Sequence, residues 1–165
     1  MNIIDYVATY IDRLDPNHPA NVAFGAKLTF LVDDELNEDN NIFLYRFPIT
    51  EDSDVTYNVE GSLLDVIASE RYGICIIPLP GRRSLDLNDD SMYPSFLIRC
   101  RHKLPGRAYT TLEELMFELH KNARVFPQNG IIYSSVSSPM LLYGDSRLIY
   151  CYQTPFKVLA AERIK

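Results

Sequence analysis

The 165-residue chain has no tryptophan, only three cysteines and three histidines, and fewer basic than acidic residues. Each scarcity excludes something. No apolar run approaches the roughly 20 residues a membrane-spanning helix requires. Asp5 breaks the first apolar stretch and no basic residue precedes it, so a secretory leader is not expected and the chain is read as made and folded in a cytoplasm. Cys75, Cys100 and Cys151 are odd in number and far apart, which fits neither a disulfide framework nor a CxxC metal site. Each sits in a run that reads as strand, so all three are expected as buried thiols that pack like small hydrophobes. With 22 acidic against 16 basic residues the net charge is −6. That balance argues against a dedicated nucleic-acid binder and suits a protein that must stay dissolved. There is no internal repeat or low-complexity segment, and the length fits one domain spanning residues 1–165.

Chemical motifs are missing as well. The chain has no GxSxG, no phosphate-binding loop, no GxGxxG and no HExxH. His18 lies in a proline-flanked turn, His102 ends a strand and His120 comes late in a helix, so all three are expected in structural roles. The acidic runs lack the oxygen-ligand spacing of a calcium loop and read as solvated loops. Neither catalysis nor a metal or cofactor is expected.

What is present is periodicity. Ile3, Val7, Ile11 and Leu14 recur at helical steps, with Asp12 and Arg13 on the wet side and Asp15-Pro16 as the stop. Residues 20–32 are ambiguous, with Lys27 to Val32 a strand candidate. Asp33 to Asn41, with Asp33, Asp34, Glu35, Glu38 and Asp39 among Asn37, Asn40 and Asn41, reads as an exposed acidic loop. Ile42 to Ile49 is a strand closed by Pro48, followed by a second acidic loop with Glu51, Asp52 and Asp54. A short strand at 55–59 and a short helix at 62–69 come next. The unbroken apolar run Ile74-Cys75-Ile76-Ile77 predicts a buried strand, Pro80-Gly81 a turn, and 82–93 a polar loop. Phe96 to Lys103 alternates cleanly: Phe96, Ile98 and Cys100 point one way, Arg99, Arg101 and Lys103 the other. Thr110 and Glu113 form a capping box ahead of a stripe of Leu112, Leu115, Met116 and Leu119. Strands at 131–136 and 148–152 and an extended piece through Phe156 and Val158 complete the chain. The sum is an α+β domain, a mainly antiparallel β-sheet with two helices packed on one face.

Two surface features stand out. Arg99, Arg101 and Lys103, with Arg107 nearby, make a basic stripe whose like charges repel unless something compensates. Either an adjacent acidic strand face supplies that compensation, or the stripe meets acidic loops of a neighbouring copy. Eleven tyrosines and eight phenylalanines are the other bias. Tyrosine suits both core and interface, because its ring buries area while its hydroxyl tolerates water.

From Ile42 onward the order of segments resembles the tail terminator or minor capsid proteins of long-tailed bacteriophages. The resemblance rests on Ile42-Phe43-Leu44-Tyr45-Arg46-Phe47-Pro48, on Ile76-Ile77-Pro78-Leu79-Pro80-Gly81, and most of all on Tyr93-Pro94-Ser95-Phe96-Leu97-Ile98-Arg99-Cys100-Arg101. A helix at Thr111 to Ala123 follows, then Pro139, Gly144, Asp145, Arg147, Tyr150 and Phe156 in the family's closing order. The sequence departs from that pattern in a long acidic insertion between Pro48 and Gly73. The resemblance implies a structural virion protein without enzymatic activity or cofactor, located at the head-proximal end of the tail. Its copies would form a homohexameric ring, either free or only on the tube. The ring would cap the tail tube protein and meet a head-completion or neck protein. DNA would pass through without specific binding, and no membrane is involved. A ring closed by rotation needs two different complementary edges on each copy. Arg99, Arg101, Lys103 and Arg107 are the candidate basic half, and Asp33, Asp34, Glu35, Glu51, Asp52 and Asp54 the acidic half. Two alternatives stay open: a stopper or other neck component, and a small ligand-binding or enzymatic module.

Overall fold

The computed structural model describes residues 3–32, 34, 37–48, 72–83, 92–125, 130–134, 136–144 and 150–160. The fold is α+β. Its helices are α1 (Ile3–Asp12), α2 (Pro19–Phe24) and α3 (Pro105–Leu119). Its strands are β1 (Ile42–Leu44), β2 (Gly73–Arg83), β3 (Met92–His102), β4 (Arg124–Val125), β5 (Gly130–Ser134), β6 (Met140–Gly144) and β7 (Tyr150–Ala160). The strand order is β1-β2-β3-β7-β5-β4, with β6 also on β7. Only β1 and β2 run parallel, and every other pair is antiparallel.

The alternation read from the sequence fixes the faces of the central strands. Phe96, Ile98 and Cys100 of β3, Ile74 and Ile76 of β2, and Phe156 and Val158 of β7 all project into one core. Ile4, Val7, Ala8 and Ile11 of α1 and Leu112, Leu115, Met116 and Leu119 of α3 close it from the helix side. Burying side chains of this size is worth about 1.5–3 kcal/mol each before the entropy of ordering them is counted. Phe96 and Phe156 stack at the centre, 5.1 Å between ring centroids. The three cysteines are free and buried, as expected.

The local readings are corrected in several places. A third helix, α2, occupies part of the ambiguous stretch. Pro19 starts it, the His18 ring accepts the Ala20 amide at 3.1 Å, and Gly25 ends it in the left-handed conformation. Helix α3 begins at Pro105, not at the Thr110 capping box. Leu104 is the cap residue and makes no side-chain cap bond, so proline at the first helical position sets the start. Strand β1 stops at Leu44 instead of Ile49, because Tyr45 takes φ +71° and turns the chain. Strand β2 continues through Pro80-Gly81 to Arg83, and the expected turn is a register shift between Leu79 and Arg82. The strand expected at 131–136 ends at Ser134, and the one expected at 148–152 joins the following extended piece as β7. The elements expected at 55–59 and 62–69 lie outside the described residues.

Lys27 to Val32 is not a strand either. Its backbone touches the start of β1 only at Thr29, whose carbonyl accepts the Asn41 and Ile42 amides, and side chains satisfy much of the rest. Asn41 Oδ1 accepts the Thr29 amide at 2.5 Å, and Asn41 Nδ2 donates to the Lys27 carbonyl at 2.9 Å. Asn21 Oδ1 accepts from Leu28, Asp12 Oδ1 from Phe30, and Asn40 Oδ1 from Leu31. Lys27 donates to the carbonyls of Asp12 and Leu28. Buried amides need partners, and here polar side chains replace a ladder.

Candidate functional site

The three histidines were expected in structural roles, and each makes a hydrogen bond that holds backbone. His18 caps α2 through Nδ1, and its Nε2 lies 3.2 Å from Glu118 Oε2. Glu118 Oε1 also accepts from Tyr10 at 2.7 Å, so one carboxylate ties α1, the α2 cap and α3 together. Burial, then the hydrogen bond and charge of Glu118, raises the Tyr10 pKa to about 12. His102 Nδ1 accepts the Leu104 amide at 2.9 Å, which leaves Nε2 as the donor to the Phe24 carbonyl at 3.0 Å. That is the neutral imidazole. Burial lowers its pKa, and the charge of Arg107 adds to this against the raising effect of the Phe24 carbonyl. His120 Nδ1 accepts the Ser134 amide at 3.0 Å. Burial pushes the Cys100 thiol well above its ordinary pKa, which removes its nucleophilic form. Among the described residues no group of three or more His, Cys, Asp or Glu is placed to hold a metal ion.

The basic stripe does not survive as one surface. Arg99 and Arg101 do share the sheet face opposite the helices, as alternation requires. Arg99 is half-buried and its Nε donates to Gln153 Oε1 across the β3–β7 pair at 3.2 Å. Arg101 is 0% exposed, with its guanidinium carbon 4.3 Å from the centroid of the Phe47 ring. It lies against Phe47 of a second small core made by Phe43, Phe47 and Cys75, and being fully buried it cannot be part of a solvated stripe. Lys103 lies past the end of β3 and is exposed, and Arg107 is exposed in the first turn of α3. Of the acidic half, Asp34 is described and exposed. Asp33, Glu35, Glu51, Asp52 and Asp54 lie outside the described residues.

Asn37 organises the described part of the acidic loop. Asn37 holds it through its amide to the Asp34 carbonyl, its Nδ2 to Asp34 Oδ2, and its Oδ1 to the Asp39 amide. Asn40 is buried beneath. Glu38 and Asp39 are left projecting into solvent.

A different surface emerges at the outer strand. Strands β5 and β6 lie end to end along one edge of β7, pairing with residues 156–160 and 150–153 respectively. Strand β5 is covered on its far side by β4, whereas β6 has no outer neighbour among the described residues. Met140, Leu141 and Leu142 of β6 are 56, 54 and 39% exposed. Three successive exposed apolar residues on a strand with no outer neighbour among the described residues are a surface that soluble monomers normally blunt with charge or proline. The sequence carried no sign of this, because Met140-Leu141-Leu142 reads like any buried apolar run. A groove of about 540 Å³ also opens between α1 and the Ala123–Ile132 region, with Arg13 and Arg124 among its lining residues. No family model and no curated protein sequence matches the chain.

Proposed function

We propose that the protein is a structural virion subunit, a tail terminator that assembles as a ring on the head-proximal end of a phage tail tube. In this reading the ring stops tube growth and offers its outer surface to the head. The reading rests on the segment order described above. The observation that carries it furthest is the exposed apolar stretch Met140–Leu142 on a strand with no outer neighbour among the described residues. A monomer gains nothing from exposing that edge, whereas a subunit of an assembly covers it with the next chain. The histidines, each committed to holding backbone or a neighbouring helix, are consistent with a protein that works by shape and contact. The net charge of −6 suits a channel through which DNA slides without sticking.

Capping follows from geometry if the ring matches the symmetry of the last tube ring. Binding to that ring supplies free energy that a weak free-ring contact lacks, so closure is driven where the tube ends. The test is to polymerise purified tail tube protein with and without this protein and measure lengths by electron microscopy. Tubes of limited length, capped at one end, are expected with the wild type. Leu141→Glu, which puts a charge on the open strand, is expected to give overlong tubes. Unrestricted growth with the wild type refutes the reading. Binding to the portal side alone, with no effect on tubes, moves the protein to a neck role.

A further inference from the structure

We infer that the groove between α1 and the β4–β5 end of the sheet receives the acidic pair Glu38 and Asp39 from a second copy of this chain. The contact deepens the ring reading, since it names how neighbouring copies join. The floor of the groove is apolar: Val7, Ala123 and Ile132 are buried beneath it, and Leu14 lies at one side. Tyr6, Thr9 and Tyr10 line the α1 wall, and the groove carries two cations, Arg13 just past α1 and Arg124 at the start of β4, both exposed. Neither arginine side chain has a hydrogen-bond or ion-pair partner among the described residues, where the one ion pair is His18–Glu118. Glu118, the carboxylate on the neighbouring helix, is already occupied by Tyr10 and His18. An apolar floor with two free guanidinium groups fits a short, rigid, carboxylate-bearing segment.

The chain itself supplies such a segment. Asn37 accepts the Asp39 amide through Oδ1 and the Asn40 amide through its carbonyl, and Asn40 is buried, so Glu38 and Asp39 are presented without a large ordering cost on binding. Glu38 and Asp39 are exposed and make no side-chain hydrogen bond or ion pair among the described residues. Glu38 and Asp39 lie just ahead of β1, at one end of the strand order, and Arg124 opens β4 at the other end, while Arg13 follows α1, which packs on β1 and β2. The two patches are unlike, so a contact that joins them between copies is heterologous, the kind that closes into rings. It also answers a difficulty of charge. Copies carrying −6 each repel one another, and a local basic groove meeting a local acidic turn offsets that repulsion where they touch.

The test is sedimentation of the full chain over a wide concentration range, at physiological and at high salt. Wild type is expected to self-associate, and to do so less at high salt. Arg13→Glu with Arg124→Glu in one variant, and Glu38→Lys with Asp39→Lys in another, are each expected to weaken association about tenfold or more. Mixing the two variants is expected to restore it, because each reversed patch then finds a reversed partner. Thermal melting of both variants checks that they are folded. A wild type that remains monomeric at millimolar concentration overturns the inference. So does association unchanged in either variant, or folded variants that fail to complement. If complementation is seen while tube length is unaffected by any form, this contact stands and the tail-capping reading falls. If tubes are capped equally by both variants, the reverse holds.

Discussion

The guanidinium of Arg101 lies 4.3 Å from the centre of the Phe47 ring, and none of Arg101 reaches solvent. Two residues earlier on the same strand face, Arg99 is half-buried and bonded to Gln153. The two arginines therefore answer differently to mutation. Arg101→Glu buries the wrong charge against an aromatic face, and a loss of more than about 3 kcal/mol is expected. Arg101→Lys loses the flat contact with the ring, at about 0.5–2 kcal/mol. Arg99→Glu should cost about 1 kcal/mol or less, since one half-buried hydrogen bond is lost. Chemical denaturation of the three variants measures this order directly. Loss of assembly in an Arg101 variant means little unless its folding is checked.

Gly73 is fixed by the backbone of Asn41. Its φ is +155°, and a Cβ there would sit 2.3 Å from the Asn41 carbonyl oxygen, which also accepts the Ile74 amide at 2.9 Å. Gly73→Ala must push β1 and β2 apart at their first pair. An expected loss of about 1–3 kcal/mol should appear as a lowered midpoint in denaturant with the slope unchanged.

Asn41 also acts with its side chain, as acceptor for Thr29 and donor to Lys27. Asn41→Asp keeps the acceptor and removes the donor, leaving the Lys27 carbonyl facing a carboxylate. Destabilisation of about 1–3 kcal/mol is expected, together with faster hydrogen exchange confined to residues 27–31.

Stability should fall at both ends of the pH scale for identifiable reasons. The Tyr10 pKa is raised from 10.0 to about 12, so its contribution is complete below pH 10 and is lost as pH rises to about 12. The His102 pKa is lowered, so the fold prefers neutral imidazole, and that preference becomes a penalty as pH falls below 6.5 and through the lowered value. Tyr10→Phe should flatten the alkaline limb of a stability–pH curve and His102→Gln the acid limb. An unchanged curve in either variant refutes the corresponding assignment.

Thr154 is buried, and its hydroxyl finds no hydrogen-bond partner among the described residues. Thr154→Val replaces an unsatisfied polar atom with a methyl group of similar size. It should be neutral or stabilising by about 1 kcal/mol, whereas Thr154→Ala should not stabilise because it leaves a void. Thermal melts of the pair decide.

Much of the core was legible because periodicity states which residues share a face. Alternation through Phe96, Ile98 and Cys100, the run Ile74 to Ile77, and the stripes on α1 and α3 all place their side chains as observed. The start of α3 was also written in the chain, in Pro105, but the capping box at Thr110 competed with it. Thr110 is instead an exposed residue inside the helix, and its neighbour Thr111 is buried with its hydroxyl bonded to the Arg107 carbonyl at 2.6 Å.

The chain alone thus determined the α+β class, the buried cysteines and the inward faces of its central strands, since these follow from local spacing and the exclusion of apolar groups from water. Tertiary structure decided the rest. Alternation put Arg99 and Arg101 on one face but could not tell that Phe47, far away in sequence, covers one of them. Lys27 to Leu31 has the pattern of a strand and lost that role to asparagines from α2 and the acidic turn. Met140 to Leu142 has the composition of a core strand and lies outside because of its place at the sheet edge. In each case the outcome depends on what a distant segment brings to the same point in space, and local spacing carries no record of that.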